Sequence, residues 1–185
     1  EGMFYRCINF NQPLEKWDVS NVKTMESTFS ECSEFNQPLE KWNVSNVENM
    51  KSLLDGCIKF NQPLDKWDVS NVKSMSHMFF KCEEFNQPLN NWDVSKVEDM
   101  EATFCECHKF NQPLDNWDMS SVENISAMFN KSLSFNQPLT AVRLPFMSQL
   151  SWSGPQKHWC ASKSLNTLGV PVCLRYCGAA TMVWL

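Results

Sequence analysis

Along residues 1–139 the apolar positions keep two rhythms in turn, and the pair recurs every 25 residues. Trp17 and Val19 flank Asp18, an alternation with the period of two expected of a short strand with one buried face. Val22, Met25 and Phe29 follow at i, i+3 and i+7, with Cys32 continuing the stripe, and this spacing predicts a helix of about two to three turns. Ser45 with Glu48, Ser95 with Glu98 and Ser120 with Glu123 match the S-x-x-E capping box at its start, while Lys23 and Lys73 replace the acid in two other units. Phe-Asn-Gln-Pro-Leu then stops the helix, because Pro lacks a donor and drives the preceding residue out of the α region. It reads as the turn that closes each unit.

The FNQPL block begins at Phe10, Phe35, Phe60, Phe85, Phe110 and Phe135 without insertion. A unit of this length falls in the class of about 20 to 29 residues in which no unit buries its apolar face alone, so the units must stack. The expected fold is an α/β repeat solenoid, a leucine-rich-repeat-like right-handed coil stack with one short parallel strand and one short helix per 25-residue unit. Residues 1–139 make a partial unit and five full ones; 140–185 form a divergent C-terminal tail.

Residues that recur in every unit are those every unit needs, so a ligand site is sought where the units differ. Trp17, Trp42, Trp67, Trp92 and Trp117 are expected as stacked core rather than an aromatic ligand cage. Asn11, Asn36, Asn61, Asn86, Asn111 and Asn136 should form an amide ladder that satisfies turn backbone groups. Cys7, Cys32, Cys57, Cys82 and Cys107 admit disulfide, metal or packing roles; Ser132 at the sixth position favours a compact buried core group. Asp18, Asp68, Asp93 and Asp118 share a column with Asn43, which favours carboxylates accepting backbone N–H bonds over a calcium ladder.

Composition narrows the function. Sixteen Lys and Arg against twenty-one Asp and Glu give a net charge of −5, which lacks the basic footprint that holds nucleic-acid phosphates. No apolar run of about 18 residues occurs, Leu168 to Leu185 being broken by Pro171 and Arg175, so no membrane insertion is expected. The opening Glu1-Gly2-Met3-Phe4-Tyr5-Arg6 has neither an initiator Met nor a basic start before an apolar core, and reads as a fragment or processed product.

No catalytic constellation emerges, so an enzyme is not expected, nor any cofactor: His77 and His108 occupy variable positions without a recurring nucleophile, and no Gly-rich phosphate loop is present. His158, Cys160, Cys173 and Cys177 lack the paired C-x2-C knuckle of zinc sites. Candidate binding residues are His77, Phe80 and Cys105, which differ from their counterparts and lie on neighbouring units; Cys105 is off the cysteine ladder and reactive if exposed. Asn-x-Ser glycan acceptors occur at Asn43, Asn124 and Asn130.

The pattern FNQPLxxWDVSNVxxMxxxFxxC over residues 3–139 resembles the 25-residue mycoplasma-type lipoprotein repeat grouped with BspA-like leucine-rich repeat surface proteins. The resemblance implies an elongated solenoid at the cell surface or outside the cell, engaged in adhesion or protein binding, with a host or cell-surface protein as partner. Self-association end to end into a fibre or surface layer is the alternative. The resemblance supplies no catalytic residues.

The tail changes character: 140–185 carry four Lys and Arg and no acid, against twelve and twenty-one in 1–139. Val142, Leu144, Met147 and Leu150 continue the core register, so 140–150 read as a degenerate capping coil lying on the Phe110–Phe135 unit. Ser151 to Leu185 read as a docking segment, a disordered extension or a shifted reading frame.

Overall fold

The structure, a computed structural model, describes residues 1–137. The tail, its capping coil and the four zinc-type residues lie outside the described residues. The chain runs as a stack of rungs, here numbered first (1–24), second (25–49), third (50–74), fourth (75–99), fifth (100–124) and the start of the sixth (125–137). Parallel bridges join Thr24 to Asn49, Asn49 to Ser74, Ser74 to Asp99 and Asp99 to Asn124, one position per rung. Among the described residues there is no helix, and strand pairing is confined to such isolated bridges. The expected α/β solenoid, with a strand and a helix in each unit, is therefore overturned. Each rung is a chain of turns.

The third rung shows how. Leu53, Asp55, Cys57, Phe60, Trp67 and Val72 each donate their N–H to the carbonyl three residues earlier, at 2.9 to 3.3 Å. Ser52 and Gly56, the third residues of two of these turns, have φ of 52° and 70°, the signature of a type II turn. His77 and Lys81 repeat this on the fourth rung at 57° and 56°. A positive φ every fourth residue cannot belong to a right-handed helix. The amides of Met50, Ser52, Leu54 and Gly56 instead donate to the carbonyls of Ser74, Ser76, Met78 and Phe80 on the next rung, at 3.0, 2.8, 2.9 and 2.7 Å.

The apolar stripe is real even though the helix is not. Val47, Met50, Leu54 and Cys57 are all buried, because each turn faces its first and last residues inward, as Met50 with Leu53 and Leu54 with Cys57, while the two between are more exposed. The strand reading fails for a related reason: Trp42 and Val44 are buried around exposed Asn43, but each ends or begins a turn, Trp42 donating to Leu39 and Val47 to Val44. The capping boxes cap nothing. Ser45 donates through its N–H and its hydroxyl to Asn43 Oδ1, and Glu48 pairs with Lys23 and Lys73 on the flanking rungs.

Phenylalanines fill the interior in two interleaved columns. Phe35, Phe60, Phe85 and Phe110 stack with ring centroids about 6 Å apart, between 5.9 and 6.1 Å. Phe29, Phe79 and Phe104 each stack on the Phe of their own rung at 4.3 to 4.4 Å, offset pairs that add to the burial of apolar area. Leu54 takes that place on the third rung.

Candidate functional site

Recurring polar groups are spent on joining rungs. Trp42, Trp67, Trp92 and Trp117 are buried, each Nε1–H donating to a Leu carbonyl 28 residues earlier, on Leu14, Leu39, Leu64 and Leu89, at 2.9 to 3.0 Å. Trp17 departs from the stacked-core expectation. It is 46% exposed. The Asn of FNQPL does bond backbone, but that of the next rung: Asn11, Asn36, Asn61, Asn86 and Asn111 accept through Oδ1 from the N–H of Asn36, Asn61, Asn86, Asn111 and Asn136. The following Gln of the later rung donates to the same oxygen, as Gln87 does to Asn61 at 3.0 Å.

The thiols of Cys32, Cys57, Cys82 and Cys107 are free and donate to the carbonyls of Phe4, Phe29, Leu54 and Phe79. Ser132 sends its hydroxyl to Phe104 in the same way, so the shared requirement is a small donor rather than sulfur. Burial raises the Cys32 thiol to about 11 and holds Cys57, Cys82 and Cys107 well above the usual thiol range. Such thiols are inert as nucleophiles and metal ligands. Cys7, on the first rung, is exposed.

Asp18, Asn43, Asp68, Asp93 and Asp118 accept from the N–H of the Ser two residues on, at 3.0 to 3.2 Å. Bonds from Ser95, first through its side chain and then its backbone, hold the Asp93 carboxyl below the ordinary value. Among the described residues no group of three His, Cys, Asp or Glu is placed to hold a metal ion.

Where the rungs differ, one cluster stands out. The His77 and Phe80 rings lie 5.5 Å apart, tilted, and Lys81 Nζ sits 5.1 Å from the Phe80 centroid, within cation–π range. Ser76, 2% exposed, shares a 2.9 Å hydrogen bond with His77 Nδ1. The third sequence candidate does not join the accessible surface: Cys105 is 4% exposed, its carbonyl taking the Lys81 N–H at 2.9 Å, so the expectation of a reactive exposed thiol does not apply.

Asp55, one rung earlier, belongs to the cluster and was not among the sequence candidates. Burial pushes its carboxyl up to about 6, His77 and Lys81 pulling down and Glu31 pushing up, with a bond from Ser52 also favouring the charged form. The signal that marks it is its column, in which Tyr5, Ser30, Phe80, Cys105 and Asn130 carry no carboxylate. Reading the repeats in register down that column, rather than seeking chemical motifs, would have found it.

Together these features define a tandem-repeat protein whose rungs are built from turns and whose recurring polar positions are internal joints. Residues 1–74 and 57–149 match a family described as Mycoplasma protein of unknown function, DUF285, and the chain belongs to that family. No curated protein and no solved structure matches the chain. Among the described residues no helix is long and apolar enough to cross a membrane.

Proposed function

We propose that the chain is a non-enzymatic repeat scaffold, displayed at the cell surface or outside the cell, that binds a protein partner through the patch of His77, Phe80, Lys81 and Asp55. The finer kinship with BspA-like surface proteins belongs to this proposal. The observation that carries it is the contrast between positions: recurring side chains are consumed between rungs, whereas His77, Phe80 and Asp55 differ from their counterparts and, with Lys81, leave a half-buried aromatic ring beside charges of both signs. An aromatic ring with a rim of charge suits a protein surface, since the ring supplies the buried area and the charges the orientation.

A photoreactive residue at position 80 tests the reading against one at exposed Lys16. Crosslinking to a cell-surface protein from position 80 but not 16, reduced by His77→Ser with Lys81→Ser, is the expected result. Equal crosslinking from both positions, or none affected by the substitutions, rejects the patch. Removal of the chain from intact cells by added protease tests surface display.

A further inference from the structure

The three Asn-x-Ser sequences have no part in the patch, and the fold treats them unequally. Asn43 is exposed and stands in the column otherwise held by Asp18, Asp68, Asp93 and Asp118. Replacing one carboxylate oxygen by an amino group turns that column's Asp-x-Ser into an Asn-Val-Ser acceptor on the second rung alone. Asn43 Oδ1 accepts from the Ser45 N–H at 3.2 Å and from the Ser45 hydroxyl at 2.7 Å, so acceptor amide and hydroxyl stand together. Among the described residues Nδ2 donates to nothing.

The other two acceptors are built into the rungs. Asn124 is half-buried at a parallel bridge with Asp99, and its Nδ2 donates to Glu101 Oε2 at 3.2 Å. Beside Asn130, the required hydroxyl belongs to Ser132, which is fully buried and donates to the Phe104 carbonyl. Lys131 between them is held at φ 58°, so the acceptor cannot be drawn out extended without unpicking the turn. A transferase reading Asn-x-Ser must reach both the amide and the hydroxyl, and of the three acceptor residues only Asn43 is exposed, its Nδ2 unengaged and the half-buried Ser45 hydroxyl beside it.

We propose that Asn43 is a modification site for N-linked glycan. The donor class is a lipid-linked oligosaccharide pyrophosphate. A bond forms between Asn43 Nδ2 and the anomeric carbon of the reducing-end sugar, the bond from that carbon to the pyrophosphate oxygen breaks, and one amide proton leaves as the lipid pyrophosphate departs. The transferase supplies the catalysis; this chain supplies a turn that displays the amide beside its hydroxyl. Modification removes one of two Nδ2 hydrogens, neither of which is used in the fold.

The folded full chain is incubated with a single-chain oligosaccharyltransferase and a chitobiose-type lipid pyrophosphate donor, and occupancy is read at each site by mass spectrometry. Synthetic peptides spanning 39–49, 120–130 and 126–136 are treated alike. The expected result is transfer to all three peptides but, in the folded chain, to Asn43 alone, with at least tenfold lower occupancy at Asn124 and Asn130. Ser45→Ala abolishes transfer in a chain that still melts cooperatively. Refusal of Asn43 by the folded chain while its peptide is modified overturns the proposal, as does equal occupancy at the three sites.

Discussion

Gly56 rests against the backbone of Glu31, so that a Cβ at position 56 would meet the Glu31 Cα at 3.3 Å. Its φ of 70° adds a second reason for glycine, since a side chain there is strained whatever the space. Gly56→Ala is expected to lower stability by about 1 to 3 kcal/mol, from lost conformational fit plus the contact.

The same argument runs in reverse at Ala127, half-buried with φ 56°. Ala127→Gly removes the left-handed penalty and is expected to raise stability by about 0.5 to 1 kcal/mol. Urea unfolding of both variants decides the matter: an Ala127→Gly variant no more stable than its parent contradicts the turn geometry.

Trp67 has a polar and an apolar role that substitution separates. Trp67→Phe retains most of the apolar filling but loses the bond to the Leu39 carbonyl, which keeps the Trp42 N–H as donor, a cost of about 0.5 to 1.5 kcal/mol. Trp67→Ala adds a cavity and should cost about 3 to 5 kcal/mol. Trp17→Phe, at an exposed position, should melt with the parent. Equal losses at Trp17 and Trp67 would refute the inter-rung role.

At Cys82 the donor matters more than the sulfur. Cys82→Ser keeps a bond to the Leu54 carbonyl, whereas Cys82→Ala loses it, leaving that carbonyl only the Cys57 N–H, and should be the less stable by about 0.5 to 1.5 kcal/mol. Peptide-resolved alkylation supplies the companion measurement: Cys7 reacts in the folded chain, and Cys57, Cys82 and Cys107 only on unfolding. Rapid labelling of Cys82 under native conditions would count against its burial.

Asp55 makes stability depend on pH in a direction opposite to that of a paired carboxylate. With its carboxyl raised to about 6 in the fold, the folded chain holds the proton more tightly than the unfolded chain. The contribution is therefore fully present below the unfolded value of about 3.9 and is lost as pH rises through about 6. Asp55→Asn should raise the melting temperature near neutral pH and leave it unchanged near pH 3.5, as scanning calorimetry across that range would read. A variant that melts lower at neutral pH would show the charged carboxylate to be favourable.

The burial pattern was legible in the sequence and the backbone path was not. Val47, Met50, Leu54 and Cys57 could be picked out as interior from spacing alone, because successive turns that bury their first and last residues produce intervals of three and four just as a helix does. What separates the two is where the amides point, and that depends on left-handed φ at residues such as Ser27, Glu31, His77, Lys81 and Ala102, whose side chains give no hint of it. Only Gly2 and Gly56 carry the usual mark. The equivalence of Cys and Ser132 could be seen as a compact core position, yet its donor role could not, since the accepting carbonyl lies 28 residues away. His77, Phe80 and Asp55 all differ from their counterparts, but what joins Asp55 to the other two could not be read, because they sit one rung later.

Bonds at a fixed offset have an arithmetic consequence. Each join connects a residue with a counterpart on the neighbouring rung, such as Trp92 with Leu64 or Asn86 with Asn61, and asks nothing of the absolute position in the chain. Gaining or losing a whole unit restores every partner to a chemically similar one, while a single inserted residue throws all the joins of two rungs out of step. The length of this protein is in that sense quantised: it can grow by copying a 25-residue word, and it resists editing by any smaller amount.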